Sequence, residues 1–375
     1  MSYALQTLIH ERSRYAAGVG AVLFSAVLIS LQVGLLLGLF ELTSIPVDHS
    51  TADLWVGGNH VESVDLGRPI PVSYIGRLNK PGVQMPELYY LNFGNFTKPD
   101  GGNSLCTVVG AGLGAGDAGC PDVLTPEHRQ LLTESLTIVA DQSDLGKLGL
   151  ERVGDRGKVN GKEVRLVGVV TGVKSLAAPW LICSQTTARE LLSAVNPVYA
   201  DHVTYLLARC DDPRRAKAVA RELSAEYPEM SVYTADEFST KSRLFWLLRT
   251  KAGVALGYAA LLGLMVGAVI TAQTLYAATM ASAKEFATLL ALGIPRRKIY
   301  GLVMAQSFWV GLLGVILAYP LVLALGYVAE QAGGRVVIRW EVLLGAAALT
   351  MLTSLLAGLV ALRSVKTIEP MSLLR

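Results

Sequence analysis

The sequence is short of charge. Asp, Glu, Lys and Arg make up 17% of the 375 residues, whereas 52% are apolar. This balance is too apolar for a purely soluble protein and too charged for a chain that lies wholly in a bilayer. The net charge of +3 is small and the basic residues do not form one stripe, so nucleic-acid binding has little support. We expect a protein that is partly in a membrane and partly in water.

The motifs of several enzyme classes are also missing. Val159 and Glu163 follow the two Gly-Lys pairs, where a phosphate-binding G-x-x-x-x-G-K-[ST] loop requires Ser or Thr. The five histidines have no H-x-x-x-H or Cys-x-x-Cys neighbours, and no G-x-S-x-G motif occurs. We therefore expect no catalytic residue, no metal site and no ATP hydrolysis by this chain.

One glycine pattern needs a separate interpretation. Gly114, Gly116 and Gly119 have the G-x-G-x-x-G spacing of a dinucleotide-binding loop, but Cys120 and Pro121 follow where a helix should start. We interpret the pattern as a plain loop. The wider Gly-rich stretch, residues 92–120, is expected to be looped as well.

Four long apolar segments can cross roughly 30 Å of hydrocarbon at about 1.5 Å per residue. They are residues 18–40, 251–276, 301–329 and 342–362. Apart from Lys251 at the start of the second, none holds Asp, Glu, Lys, Arg or His. Proton- and ion-coupled carriers usually place an ionisable group inside the membrane, so the energy for this protein must come from elsewhere.

The short loops predict the orientation of these spans. Basic residues outnumber acidic ones in segments 1–17, 277–300 and 363–375, whereas the loop 330–341 is balanced. The positive-inside rule makes both chain ends and the 277–300 loop cytoplasmic, and it leaves segment 41–250 outside. Residues 1–17 form either an interfacial helix, with Leu5, Leu8 and Ile9 on one face, or an extension of the first span.

Segment 41–250 has the signals of a mixed α+β domain. Stretches 52–58 and 68–78 look like strands, and Asn160-Gly161 is the preferred pair for a type I′ hairpin turn. A helix over 213–227, capped by Asp211 or Asp212, lies between two strand-like pieces. Thr234 and Glu237 fit a capping box, and the helix that they start can continue into the second span.

All four cysteines lie in this extracytoplasmic segment. An even number on the oxidising side suggests one or two disulfides, with Cys106 and Cys120 nearest in sequence, but four cysteines allow three connectivities. The alternative is that they are small buried thiols. The four residues are Cys106, Cys120, Cys183 and Cys210.

The most informative stretch lies between the second and third spans. Phe286, Leu289, Leu290 and Gly293 recur at helical spacing, which predicts a short amphipathic helix that ends at Gly293. Pro295 then suits the first position of a new helix, behind which lie three basic residues and a long apolar run. The pattern predicts either a surface helix that a partner grips or an ordinary helix on the inner leaflet.

This arrangement resembles the cytoplasmic loop of FtsX-like permeases, the MacB-type membrane subunits of ABC transporters. Residues 144–170, which include the hairpin, look like part of the MacB-type periplasmic domain, and residues 368–375 resemble the family's usual ending. The opening of the chain is similar to that of DevC-like subunits. The positions that the resemblance assigns to ATPase coupling are Lys284, Glu285, Phe286, Leu289, Leu290 and Gly293.

The resemblance implies an α+β membrane protein of type VII ABC exporter architecture, with four transmembrane helices and a large α+β extracytoplasmic domain between the first and the second. It implies a bacterial inner-membrane permease, working as a homodimer, that exports a substrate. ATP and Mg²⁺ would bind a separate ATPase dimer, and a membrane-fusion protein and an outer-membrane channel would be further partners. Two alternatives stay open: a signalling subunit that controls wall hydrolases, and a permease that extracts lipoproteins.

Overall fold

The computed structural model describes residues 12–174, 178–331 and 336–366. The predicted N-terminal helix face at Leu5, Leu8 and Ile9 and the closing stretch 368–375 lie outside these residues. The described chain forms two compact units, one containing the residues up to Gly38 together with those from Lys251 onward, and the other containing Leu39–Thr250.

The helices of the described residues are α1 (Arg12–Asp48), α2 (Pro126–Leu131), α3 (Leu145–Leu148), α4 (Gln185–Ser193), α5 (Ala216–Glu226), α6 (Ala235–Arg249), α7 (Lys251–Ala281), α8 (Ala283–Ala291), α9 (Arg296–Gln331) and α10 (Trp340–Lys366). The strands are β1 (Leu54–Gly58), β2 (Ile70–Pro71), β3 (Val83–Thr97), β4 (Asn103–Ala111), β5 (Thr137–Asp141), β6 (Arg156–Val159), β7 (Lys162–Val170), β8 (Trp180–Ser184), β9 (His202–Val203), β10 (Tyr205–Cys210) and β11 (Met230–Thr234).

Four of these helices are long and apolar enough to cross a membrane. They cover Tyr15–Asp48, Lys251–Ala281, Arg296–Ala329 and Trp340–Val360. The first three contain the predicted spans, the fourth overlaps the predicted span 342–362 as far as Val360, and a mixed α+β domain lies between the first and the second. The predicted fold class is therefore confirmed. The first helix continues to Asp48, beyond the predicted end of its span at residue 40.

Small residues bring the spanning helices close together. On α7, a side-chain carbon at Gly267 would lie 2.9 Å from Ser25 Oγ of α1, and the Ser25 hydroxyl donates to the Gly267 carbonyl at 3.0 Å. On α9, a carbon at Gly314 would lie 2.5 Å from Val22 Cγ1 and 3.1 Å from the backbone nitrogen of Leu23, also on α1. Helices in lipid associate mainly through such close packing. Gly263 of α7 likewise faces Leu28 of α1, where an added carbon would lie 2.6 Å from Leu28 Cδ2.

The α+β domain is organised around β3, the longest strand. Its first half pairs with β10 and its second half with β4, so two parts of one sheet share this strand. The sheet order is β11-β1-β10-β3-β4-β8-β5-β7-β6, and β6 pairs back onto the end of β3. A closed barrel is therefore formed by six strands, in the order β3, β4, β8, β5, β7 and β6. Strands β10, β1 and β11 extend the sheet beyond β3.

Residues along the strands alternate between two buried clusters, as the two-residue period of a strand requires. On β1, Leu54 and Val56 belong to one cluster, while Trp55 belongs to the other. The first cluster also contains the buried face of α5, and the second contains Phe238 of α6. Both faces of the sheet are thus covered.

Several local predictions are confirmed. Asn160 and Gly161 have φ values of 51° and 85°, as a type I′ turn needs, and they join β6 to β7. Helix α5 buries the predicted apolar face, and the Asp212 side chain accepts a hydrogen bond from Arg214 N at 3.0 Å. The capping box is complete, because Thr234 and Glu237 each accept a hydrogen bond from the other's backbone N–H.

Three predictions were wrong. The helix that starts after Thr234 does not continue into the second span, because Thr250 has extended dihedral angles and separates α6 from α7. β-Branched residues such as threonine favour the extended region. Residues 68–78 are mostly a 3-10 helix. Residues 92–111 belong mainly to strands β3 and β4 and do not form a loop. Glycines 101 and 102 lie in the short turn that joins the two strands.

The glycine contacts predict how the spanning unit responds to substitution. Gly314→Ala should lower the free energy of unfolding by about 1–3 kcal/mol, because the new methyl group meets Val22 Cβ and Cγ1 and the backbone nitrogen of Leu23 on α1. Gly345→Ala on α10 is the matched control, since no atom lies within 4 Å of its added carbon. Unfolding of both variants in detergent measures the difference. Equal stability of the two would contradict the close packing of α9 on α1.

Candidate functional site

The site at the turn between α8 and α9 is built by one glycine. Gly293 has a φ of 85°, a left-handed conformation that costs other residues more. Gly293 N donates to Leu290 O at 3.0 Å, and Ile294 N donates to Leu289 O at 3.1 Å. These two bonds form a Schellman motif, which ends α8 and satisfies its last carbonyl groups. The predicted end of the helix at Gly293 is confirmed.

The inner face of α8 packs against its own chain. Leu289, Leu290 and Ile294 are partly buried against a small cluster in which Ile299 and Val303 of α9 are fully buried. Leu362 of α10 contacts the same cluster. The two leucines that the sequence assigned to ATPase coupling therefore attach α8 to the ends of two spanning helices. A displacement of α8 has a direct path into α9 and α10.

The outer side of this turn is exposed. Leu292 has 74% of its surface accessible, the largest fraction of any large apolar residue in the described chain. Gly293, Pro295 and the three basic residues that open α9 are also exposed. Those residues are Arg296, Arg297 and Lys298. We call residues 292, 293 and 295–298 the turn patch.

The remaining predicted coupling residues lie in the first turn of α8. Glu285 is exposed and acidic, which suits the positive end of a helix dipole. The backbone of α8 includes Lys284 and Phe286, but their side chains lie outside the described residues.

Sequence reasoning missed Leu292. It follows the apolar stripe of Phe286, Leu289 and Leu290 but lies on the polar side of the helix, about 160° around the axis from Leu290 and about 20° from Glu285. An apolar residue on the polar side of an amphipathic helix, next to a basic cluster, was the signal that could have identified it.

The cysteines of the α+β domain do not form disulfides, so that prediction was wrong. All four are free thiols, and Cys106, Cys183 and Cys210 are buried in the first cluster. Cys120 is partly buried against the second cluster, so it cannot reach the nearest thiol in sequence, Cys106. The alternative of small buried thiols holds for three of the four.

The sheet register explains why the buried thiols stay apart. Cys183 lies opposite Gly110 of β4, four residues from Cys106, which is about 13 Å along the strand. A disulfide requires Cα atoms closer than about 7 Å. Burial raises the pKa of Cys106 to about 12 and that of Cys210 to about 11. These thiols are therefore protonated and unreactive at neutral pH.

The sequence analysis interpreted the glycine pattern at residues 114–119 as a plain loop, and the structure shows no phosphate-binding arrangement in these described residues. Its backbone N–H groups are already used: Gly114 donates to Asp117 Oδ2 at 2.7 Å, and Ala118 and Gly119 donate to Glu87 at 2.6 and 3.1 Å. Burial raises the pKa of the Glu87 carboxyl, and the hydrogen bonds from Ala118 and Gly119 lower it by less. Among the described residues, no group of three or more His, Cys, Asp or Glu side chains could hold a metal ion.

Comparison with known proteins identifies the membrane part. Residues 257–370 match the family model described as FtsX-like permease C-terminal, and this segment includes α8, the turn patch and the two spans that follow. Residues 257–370 are therefore similar to the C-terminal region of FtsX-like permeases. This family comprises ABC transporter permeases, generally non-catalytic subunits, that work with an ABC ATPase. The permease family and the four apolar helices indicate an inner-membrane protein.

Three solved structures are similar to part of this chain. The periplasmic region of MacB from Actinobacillus actinomycetemcomitans is 12% identical, with a TM-score of 0.34, over 52% of this chain and 94% of that one. The extracellular domain of the noncanonic ABC-type transporter YknZ from Gram-positive bacteria is 12% identical, with a TM-score of 0.34, over 48% and 98%. A domain of a putative permease protein from Porphyromonas gingivalis is 13% identical, with a TM-score of 0.31, over 51% and 90%. No curated protein matches the chain.

The thiol environments give a testable prediction. The unfolded permease, without reductant, should show four titratable thiols, because none is paired. The folded permease should react quickly only at Cys120, since the other three thiols are buried and protonated. Titration with a thiol reagent measures both counts. Cys120→Ser is the control, and its folded form should show no rapidly reacting thiol. Two or fewer titratable thiols in the unfolded original protein would restore the disulfide interpretation.

Proposed function

We propose that this permease couples ATP hydrolysis by a separate ABC ATPase dimer to movement of its α+β domain, and thereby drives export of a substrate. The observation that carries the proposal is the short helix α8, which presents Leu292 on its exposed side and is attached to α9 and α10 on its inner side. A partner that pushes α8 therefore moves two spanning helices.

The turn patch has the chemistry of a docking surface. Leu292 offers an apolar anchor, and exposed apolar residues that become buried at an interface contribute much of its binding energy. The neighbouring Arg296, Arg297 and Lys298 favour an acidic surface on the ATPase, since opposite charges steer association and fix orientation. ATP and Mg²⁺ would be bound by the ATPase.

The helix packing suggests the route of the movement. Helix α9 runs from Arg296 to Gln331, about 54 Å at 1.5 Å per residue, and Gly314 near its middle is in contact with α1. Helix α1 continues unbroken to Asp48, whereas Thr250 interrupts the chain between α6 and α7. We propose that α1, and not α7, is the stiff connection into the α+β domain.

The orientation and assembly belong to the same proposal. Both chain ends and the turn patch would be cytoplasmic, because the short segments around them carry an excess of basic residues. Four spans make a thin bundle, so two copies would work together as a homodimer. A membrane-fusion protein and an outer-membrane channel would complete the export path.

Replacement of Leu292 tests the coupling. Leu292→Glu should lower the ATP hydrolysis that the permease stimulates in its co-purified ABC ATPase by at least about tenfold, which corresponds to about 1.4 kcal/mol. The reason is that a carboxylate would be buried without a partner in the ATPase groove. Unfolding temperature should not change, since Leu292 is 74% exposed in the isolated chain. Leu292→Met should retain stimulation.

Val195→Glu is the matched control, because Val195 is similarly exposed, at 67%, but lies in the α+β domain. The Val195→Glu variant should still co-purify with the ATPase and still stimulate its ATP hydrolysis. Leu289→Arg is a less specific variant, since Leu289 also holds α8 against α9 and its loss would affect folding. Full stimulation with Leu292→Glu would contradict the proposed coupling.

A further inference from the structure

A partly enclosed cavity of about 50 Å³ lies within the α+β domain. The end of α1 contributes Leu42, α6 contributes Trp246, and the strands contribute Leu91, Phe93 and Trp180. The cavity has room for roughly three to five water molecules, so it fits a small chemical group and not a whole drug-sized molecule. A larger ligand would leave its remainder outside, where Phe93 is 39% exposed.

The cavity has one acidic group. Asp65 is the only ionisable side chain among its described lining residues, and no salt bridge of Asp65 occurs in the part of the chain that the structure describes. Two donors hold the carboxylate in place: Ser63 Oγ, and Trp246 Nε1 at 3.2 Å. Both bonds go to Oδ1. Both donors are neutral, so neither of these contacts brings a positive charge to the carboxylate.

The walls of the cavity also favour a cation. Trp180, Trp246 and Phe93 provide three aromatic rings around the single carboxylate. Aromatic faces attract ammonium groups, by about 0.5–1 kcal/mol at exposed sites and about 2 kcal/mol or more where water is excluded. An anion would be repelled by Asp65, and a neutral group would use only the apolar walls.

The lining helices lie next to membrane spans in the sequence. Leu42 belongs to α1, the first candidate span, and Trp246 lies five residues before Lys251, where the second begins. The apolar lining residues Leu42, Leu91 and Phe93 favour a ligand that has an apolar part. The ligand that fits this lining best therefore combines a hydrocarbon portion with a compact positive head.

We propose that this cavity binds the ammonium group of a cationic amphiphile, with Asp65 as its counter-ion. The inference deepens the proposed function and rests on it for one point, that the bound amphiphile is the substrate class of the permease. Asp65, Trp180, Trp246 and Phe93 form the head-group site.

Three probes of equal chain length test the charge preference. Hexylammonium, hexanol and hexanoate are titrated onto the full chain in bilayer discs, without ATPase, and binding is followed by intrinsic tryptophan fluorescence, to which Trp180 and Trp246 contribute. Hexylammonium should bind at least tenfold more tightly than hexanol, and hexanoate should bind more weakly than either. Equal affinity for hexylammonium and hexanol would overturn the proposal.

Asp65→Asn should abolish the preference for hexylammonium over hexanol. The amide oxygen can still accept from Ser63 and Trp246, so the local structure is kept. The matched control is Glu62→Gln, since Glu62 is an exposed acid three residues away that does not line the cavity. It should keep the preference, and an equal loss in both variants would overturn the role of Asp65.

Phe93→Leu provides a second variant in case Asp65→Asn fails to fold. Loss of this ring should weaken hexylammonium binding several-fold, because Phe93 lines the cavity. Unchanged binding in Phe93→Leu would place the cation elsewhere and overturn the site. These measurements need no ATPase, so their failure is distinct from a failure of Leu292→Glu to uncouple hydrolysis.

Discussion

The left-handed turn at Gly293 is the constraint on which the candidate coupling site depends. It ends α8 after nine residues, returns the chain toward α9, and satisfies the last carbonyl groups of the helix through Gly293 N and Ile294 N. The same turn brings Ile294 against Leu289, so that one side of α8 packs on α9 while Leu292 faces away. The packed side and the exposed side of this segment are thereby opposite each other.

Close contacts continue this arrangement through the spanning unit. Gly314 lets α9 approach α1, and Gly267 lets α7 approach the same helix. The Ser25 hydroxyl of α1 donates a hydrogen bond to the backbone carbonyl of Gly267 on α7. In lipid, such contacts are not driven by exclusion of water and depend on fit between small residues and the facing chain. At these contacts the glycines of α7 and α9 lie directly against Ser25 and Val22 of α1, so the helix axes approach closely.

The α+β domain applies a different principle, since one long strand serves two parts of its sheet. β3 pairs with β10 in its first half and with β4 in its second, and β6 closes the barrel at its end. The cavity at Asp65 adjoins this strand through Leu91 and Phe93 and is completed by Trp246 of α6. Its acidic group and aromatic rings come from segments that are distant in sequence, which only the sheet brings together.

The sequence by itself determined the features that depend on neighbouring residues. The four spans, the turn at Asn160-Gly161, the capping box at Thr234 and the end of α8 at Gly293 all follow from composition, helical period and backbone preference over a few positions. The resemblance of segment 283–298 to the loop of FtsX-like permeases is also local, and residues 257–370 match that family's C-terminal model.

Only the tertiary structure decided what depends on distant residues. Strand register, and not spacing in the chain, separated Cys106 from Cys183, and packing on α9 decided which leucines of α8 are covered and that Leu292 is not. The break at Thr250 and the strand pairing of residues 92–111 also went against local expectation. Burial and strand pairing are set by contacts between segments that are far apart in sequence. One sequence by itself does not give the spatial distances between such segments.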